Sequence, residues 1–199
     1  MDTVVASFEE RYRAVHSLAS DFTQENFIAS LEESRAFQGK LFLARPSLFA
    51  MEVFSPSRQT LIFDGHFFWV YTEASNQVLK HTVAQSFFDH PLISLLTTME
   101  NLQENFTVSL APSEAATVDQ VLMLTPKKST GEVQTIHLRV SKETSQIKEV
   151  TLYHGSGNYT RLALNNTVEN GELPPERFQY SPAPGTDVVE DPTPVLKPY

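Results

Sequence analysis

The amino-acid sequence predicts a mainly β, α+β fold: an antiparallel sheet of about 11 strands that curls around an apolar interior and carries a few short α-helices. Three observations predict it. Four strand-like runs follow one another between residues 37 and 71, their short connections force antiparallel neighbours, and 14 Phe residues add apolar area without polar atoms. The sheet must therefore curl around its own side chains, around helices from elsewhere in the chain, or around an apolar ligand.

Turn signals separate these four runs. They are Arg45-Pro46-Ser47, Ser55-Pro56-Ser57-Arg58 and the hairpin dipeptide Asp64-Gly65. Apolar residues occupy odd positions throughout, and side chains two apart in a strand share a face. We therefore expect one apolar face that lines the interior. Its residues are Phe37, Leu41, Leu43, Phe49, Met51, Val53, Leu61, Phe63, Phe67, Trp69 and Tyr71.

Helical pattern is predicted in two places. Residues 3–18 form a first helix, capped by Thr3 or Asp2, with Phe8 on its apolar side. Pro91 suits the first position of a second helix, in which apolar residues recur at three- and four-residue spacing. That stretch is too apolar to stand alone, so we expect it to cover the sheet. Its apolar residues are Leu92, Leu95, Leu96, Met99 and Leu102.

The remaining strands are expected on either side of the second helix. A long first strand over residues 19–35 bends or turns near Asn26, and residues 77–82 form a sixth strand. After the helix, strands are predicted over residues 106–110, 120–125, 132–140, 147–153 and 159–169. The composition becomes rich in proline after Ser181, which predicts an extended tail or an edge cover.

Composition excludes several classes of function. The formal net charge is −9, and the densest basic cluster is the pair Lys127-Lys128, which argues against nucleic acid and anionic lipid headgroups as partners. The chain has no cysteine, so disulfides, Cys-ligated metals and a lipid attached to cysteine are excluded. No apolar run approaches the roughly 20 residues of a membrane span. Residues 1–20 carry five charged side chains, so we expect that any signal peptide has been removed.

Catalytic patterns are weak. The six histidines are scattered, with no HExxH motif, and Gly155-Ser156-Gly157 lacks the G-x-S-x-G nucleophile pattern. A metal site formed by His81, Asp89 and His90 would need a loop to bring them together. We predict no catalytic residues, no metal and no cofactor.

The stretch from Phe37 to Tyr71 resembles the LolA family, the periplasmic carriers of outer-membrane lipoproteins. The resemblance rests mainly on the spacing of Arg45-Pro46, Asp64-Gly65 and the Trp-x-Tyr motif at Trp69, with similar segments at Phe22-Thr23-Gln24 and Leu124-Thr125-Pro126-Lys127. It extends from the first helix to about Val188. We therefore expect residues 1–188 to form a single lipoprotein-carrier half-barrel domain and residues 189–199 to form a Pro-rich C-terminal tail.

The resemblance implies a LolA/LolB-like fold, an incomplete and strongly curved antiparallel β-barrel whose concave side is closed by a helical lid. It also implies a cavity for the acyl chains of lipoproteins and a latch, Arg45, that holds the lid to the sheet. Met51 stands where many relatives have tryptophan. The residues expected to line the cavity are Phe8, Phe22, Leu41, Leu43, Phe49, Met51, Leu61, Phe63, Trp69, Leu92, Ile93, Leu95, Leu96 and Met99.

The function implied by the resemblance is that of a non-enzymatic, monomeric carrier in the periplasm of a Gram-negative bacterium. Such a carrier accepts lipoproteins from an inner-membrane lipoprotein-releasing ABC transporter and hands them to an outer-membrane lipoprotein receptor, without inserting into a membrane. The alternative is a periplasmic lipid- or lipoprotein-sensing interaction domain of the same fold, which in regulators accompanies a second domain.

Overall fold

The computed structural model describes residues 2–82, 102–111, 118–128 and 133–191. These residues form helix α1 (Asp2–Arg13), the short helix α2 (Leu102–Asn105) and one twelve-stranded sheet. The strands are β1 (Ser17–Ile28), β2 (Glu33–Ala44), β3 (Leu48–Ser55), β4 (Gln59–Phe63), β5 (Phe67–Thr72), β6 (Gln77–Thr82), β7 (Phe106–Leu110), β8 (Asp119–Pro126), β9 (Val133–Ser141), β10 (Ile147–His154), β11 (Tyr159–Glu169) and β12 (Asp187–Asp191).

The sheet is open and curved, as predicted, and almost wholly antiparallel. Its order is β12-β6-β5-β4-β3-β2-β1-β11-β10-β9-β8-β7, so β12 and β7 are its two edges. The strand count of about 11 was one short within the described residues, because β12 pairs in parallel with β6. This strand spans the predicted start of the tail at residue 189, and the division of the chain into a domain and a tail stays a prediction.

Strands β2 to β6 confirm the turn signals of the sequence. Breaks occur at Arg45-Pro46-Ser47, at residues 56–58 and at residues 64–66, and β6 spans Gln77–Thr82 as expected. The predicted strands after residue 105 are also present, with boundaries that differ by one residue at most. The second helical region falls outside the described residues up to its last turn, where α2 begins at Leu102.

Two predicted boundaries near the N-terminus were wrong. Helix α1 ends at Arg13 rather than at residue 18, because the alternation of buried Leu18, Ser20 and Phe22 already belongs to strand β1. The chain reverses at residues 29–32 rather than near Asn26, and Glu32 takes a left-handed conformation with φ 53° in that turn. Residues 19–35, expected as one strand, therefore comprise most of β1, the turn and the start of β2.

The face of the sheet that packs against α1 is called the inner face here. Val5, Phe8 and Tyr12 of the helix belong to one continuous apolar core, together with side chains from β1 to β3 and from β7 to β11. Phe8 and Leu41 are fully buried, and Phe22 is 2% exposed. This burial supplies roughly 1.5–3 kcal/mol for each large side chain, and it holds α1 against the sheet.

The opposite, outer face carries a smaller apolar cluster. Phe42, Ala50 and Ile62 pack there against Phe178 of the 3₁₀ turn Pro175–Phe178. Arg177 of the same turn lies over the Phe42 ring at 4.0 Å and pairs with Glu52 at 2.7 Å. The segment that follows β11 therefore covers apolar residues at even positions of β2 to β4 on the outer face.

Trp69 lies on the outer face, which corrects the expectation that it shares a face with Leu61 and Phe63. Residues directly opposite in an antiparallel pair share a face, and Trp69 lies opposite Ile62. Its ring packs 5.5 Å from that of Tyr180, centroid to centroid. Four residues separate the paired Phe63 and Phe68, so the odd-numbered side chains change face at this turn. Phe67 and Tyr71 change face in the same way.

Asp64 organises that turn. Its carboxylate accepts hydrogen bonds from the backbone N–H groups of His66 and Phe67 and from the Trp69 indole, each at 2.8 Å. Burial raises the pKa of this carboxyl, but these hydrogen bonds outweigh burial, so the pKa lies below its ordinary value of 3.8.

We expect Asp64→Asn to weaken the turn at neutral pH. Because the folded-state pKa is below the unfolded one, the stabilisation is present above about pH 4 and is lost as the pH falls through the folded pKa. Loss of about 1 kcal/mol would lower the melting temperature by roughly 2–4 °C at pH 7, and the difference from the wild type should shrink at pH 3. Melting curves at both pH values check this, with the exposed Glu73→Gln as control. A difference of the same size at pH 3 would contradict it.

Among the residues that the structure describes, no helix is both long and apolar enough to cross a membrane.

Candidate functional site

Five of the residues predicted to line a cavity form part of the packed inner core. Phe8, Phe22, Leu41, Leu43 and Met51 are each at most 9% exposed, and all five belong to the same continuous apolar core. In this arrangement α1 and the sheet fill the space between them with their own side chains. This part of the inner face is closed.

The inner face is less tightly covered over β3 to β5. Phe63 and Phe68 are buried there, whereas their neighbours Phe49, Leu61 and Val70 are only half-buried. These five residues, called the β3–β5 patch below, adjoin the main core through Phe49 and Leu61, which contact both. The patch is thus an apolar, partly exposed region of the inner face beside a tightly packed core.

The β3–β5 patch includes three of the predicted cavity residues and two that sequence reasoning missed. Phe49, Leu61 and Phe63 were expected, while Phe68 and Val70 were assigned to the opposite face. The Asp64-Gly65 signal could have identified them, because a two-residue hairpin loop also pairs an odd with an even position. Trp69 is not part of the patch. Leu92, Ile93, Leu95, Leu96 and Met99 lie outside the described residues.

Arg45 contacts the end of helix α1. Its Nη2 atom donates to the Tyr12 carbonyl oxygen at 2.7 Å, and its backbone N–H donates to the His16 carbonyl at 2.9 Å. Carbonyls in the last turn of a helix lack intrahelical partners, and a guanidinium satisfies them while complementing the helix dipole. A small cavity of about 30 Å³ lies beside Arg45, lined by Val15, His16, Ser17, Leu18, Leu43, Ala44, Pro46, Ser47 and Leu48. It has room for a water molecule and not for an acyl chain.

Tyr12 fixes the same end of α1 from the other side. The Ile147 backbone N–H donates to the Tyr12 hydroxyl oxygen at 2.9 Å, and that hydroxyl lies 3.4 Å from the Glu169 carboxylate, which also pairs with Arg11. Burial raises the pKa of the Tyr12 phenol far above its ordinary value, outweighing the hydrogen bond from Ile147. The phenol therefore stays neutral, as a buried helix anchor requires. Sequence reasoning missed this anchor. Its partners Ile147 and Glu169 lie 135 and 157 positions from Tyr12, so no local pattern signals it.

The chemistry that the β3–β5 patch itself offers is apolar burial. Within the described ranges there is no group of three or more His, Asp or Glu side chains placed to hold a metal ion. Of the three residues considered for a metal site, His81 is on β6, while Asp89 and His90 lie outside the described part of the chain.

Comparisons with known proteins give the chain its family. The family model described as outer membrane lipoprotein carrier protein LolA matches residues 13–181. The outer-membrane lipoprotein carrier protein of Alkalilimnicola ehrlichii is 31% identical over 93% of this chain and 83% of its own length. The outer-membrane lipoprotein carrier protein of Chromobacterium violaceum is 26% identical over 94% of this chain and 87% of its own length. Among solved structures, an uncharacterized conserved protein from Thermus thermophilus has a similar fold, with a TM-score of 0.59 and 10% sequence identity. The match covers 96% of this chain and 98% of that protein's chain. The match to the family model over most of the chain shows that this protein belongs to the LolA family.

Proposed function

We propose that this protein is a periplasmic lipoprotein carrier that binds acyl chains on its inner face. The observation that carries the proposal is the β3–β5 patch, in which Phe49, Leu61 and Val70 are only half-buried beside a sealed apolar core. Relatives of this protein carry the name outer-membrane lipoprotein carrier protein, which supports lipoproteins as the cargo. No catalytic step is proposed.

The proposed route begins at an inner-membrane lipoprotein-releasing ABC transporter and ends at an outer-membrane lipoprotein receptor of a Gram-negative bacterium. The net charge of −9 agrees with a carrier that does not settle on anionic lipid surfaces between these two partners. We propose that the carrier works as a monomer.

The need to release its cargo limits how completely the protein can enclose an acyl chain. Burying an acyl chain of about 15 methylenes at roughly 0.8 kcal/mol each would contribute on the order of 12 kcal/mol, which corresponds to nanomolar affinity for a single chain. Several fully enclosed chains would hardly dissociate. An incompletely covered patch binds less tightly, so a receptor with better coverage can take the cargo downhill.

We propose that Arg45 contributes to this release as a latch. In the structure it donates a hydrogen bond to the end of α1. The expectation that it holds a lid formed by residues 91–96 to the sheet stays a prediction. Arg45→Leu removes a charged hydrogen bond, which is expected to cost about 1.5–3 kcal/mol. Acyl cargo should still bind, because Arg45 is not part of the β3–β5 patch, whereas transfer to receptor-bearing membranes should slow several-fold.

Loading the wild type and Arg45→Leu with the same lipoprotein and following its transfer to those membranes measures this effect. Hydrogen exchange at residues 10–14 reports separately whether α1 has loosened. The exposed Arg58→Leu, at the β3–β4 turn, serves as the control. Equal transfer rates for all three proteins would remove Arg45 from the mechanism.

Native mass spectrometry tests the proposed function itself. Protein isolated from the periplasm of cells that make triacylated lipoproteins should carry lipoprotein in a one-to-one complex, and the complex should persist without detergent. Recovery of bare protein alone under conditions that preserve other periplasmic complexes would contradict the carrier assignment.

A further inference from the structure

His81 is a polar side chain buried next to the β3–β5 patch. It lies on β6 directly opposite Phe68, so both side chains are on the inner face. The residue is only 4% exposed. Among the residues that the structure describes, none forms a hydrogen bond with its Nδ1 atom, which is fully shielded from solvent.

An imidazole nitrogen without a partner is costly in such surroundings. Buried polar atoms in native proteins almost always have a hydrogen-bond partner, and leaving one unpaired forfeits its hydration. On the β5 side of His81 the inner face is apolar, with Leu79 on the same strand and Val70 opposite Leu79. On its other side, β12 pairs Asp191 with His81. A leucine or phenylalanine at position 81 would avoid this cost, so the imidazole calls for a partner that the described protein groups do not supply.

We infer that His81 donates a hydrogen bond from Nδ1 to the ester carbonyl of a bound acyl glyceride. The inference rests on the proposed function and adds a polar contact to it. An imidazole nitrogen that carries a proton donates a single, directed hydrogen bond. An acyl ester has long apolar chains for the patch, a carbonyl oxygen that only accepts hydrogen bonds, and no charge to desolvate. The acyl chains of such an ester therefore match the apolar β3–β5 patch, and its carbonyl oxygen matches the His81 donor.

The inference predicts selectivity for esters over ethers. Dioctanoylglycerol and its ether analogue dioctylglycerol have similar apolar chains, but the ether lacks the carbonyl groups. Wild-type protein should bind the ester about fivefold more tightly, the size expected from one buried hydrogen bond. In His81→Leu this preference should vanish through weaker ester binding, while ether binding stays the same or improves. His81→Asn, whose amide nitrogen can replace Nδ1, should keep much of the preference.

Displacement of a naphthylamine dye by the two lipids measures these affinities, with melting curves to establish that each variant is folded. Equal binding of ester and ether by the wild type, or an unchanged preference in His81→Leu, would overturn the inference and leave the proposed function intact. Binding of neither lipid would overturn both. If His81→Leu does not fold, the wild-type preference and its retention in His81→Asn decide the matter.

Discussion

Gly39→Ala is expected to destabilise the protein by about 3 kcal/mol or more, one of the largest effects of any single methyl group in this fold. A Cβ atom at position 39 would lie 1.8 Å from the Glu52 carbonyl oxygen and 2.8 Å from the Phe22 ring. The register shifts between Gln38 and Gly39, so β2 and β3 approach closely at this bulge. The carbonyl belongs to the backbone of β3 and can move only if the sheet distorts.

Chemical denaturation of the two proteins measures this loss, and the melting temperature should fall by roughly 6–12 °C. Gly155→Ala is the matched control, since the nearest atom to its new methyl group is the end of the flexible Gln134 side chain at 3.2 Å. That variant should change stability by less than about 1 kcal/mol. Similar stability for the wild type and Gly39→Ala would mean that β2 and β3 are farther apart than described.

Leu61→Asp should reduce the uptake of acyl ligands at least tenfold, which corresponds to about 1.4 kcal/mol of binding free energy. Leu61 is half-buried in the β3–β5 patch, where a carboxylate would have to lose its hydration when a chain covers it. Titration with a fatty acid or an apolar dye measures the change. Folding is assessed on the same samples by circular dichroism.

Phe54→Asp provides the control for this experiment. Phe54 is 45% exposed on β3, and its substitution likewise replaces an apolar side chain of the sheet with a charge. Uptake should stay within twofold of the wild type, since the residue is not part of the patch. If the two folded variants take up ligand equally well, the patch is ordinary packing and not a ligand wall.

The strands from β2 to β6 were predictable because strong turn residues separate short apolar runs. Side-chain direction was harder to predict, since it depends on how many residues each turn inserts between paired positions. The turn at Asp64 exchanges the faces of odd and even residues, so Trp69 points outward and Val70 inward. Counting paired positions across this one hairpin would have corrected the assignment.

Contacts distant in sequence account for most of what sequence reasoning missed. The parallel pairing of β12 with β6 joins segments about a hundred residues apart, and β12 itself is a short acidic segment without a strong strand pattern. The Tyr12 anchor depends on Ile147 and Glu169. These residues begin β10 and end β11, and the order of the strands in the sheet places both next to the end of α1. The Arg45 position was identified through the resemblance to the LolA family, and its partner at the end of α1 became apparent in the structure.

Site-specific photocrosslinking tests the central proposal, that acyl chains lie on the inner face, most directly. Benzoylphenylalanine placed at Leu61 should crosslink to triacylated lipoprotein on irradiation of the loaded carrier, and mass spectrometry should locate the adduct on an acyl chain. The same group at Phe54 should give little product. Crosslinking to acyl chains that is equal at the two positions, or stronger at Phe54, would contradict the proposal that the inner face holds the cargo.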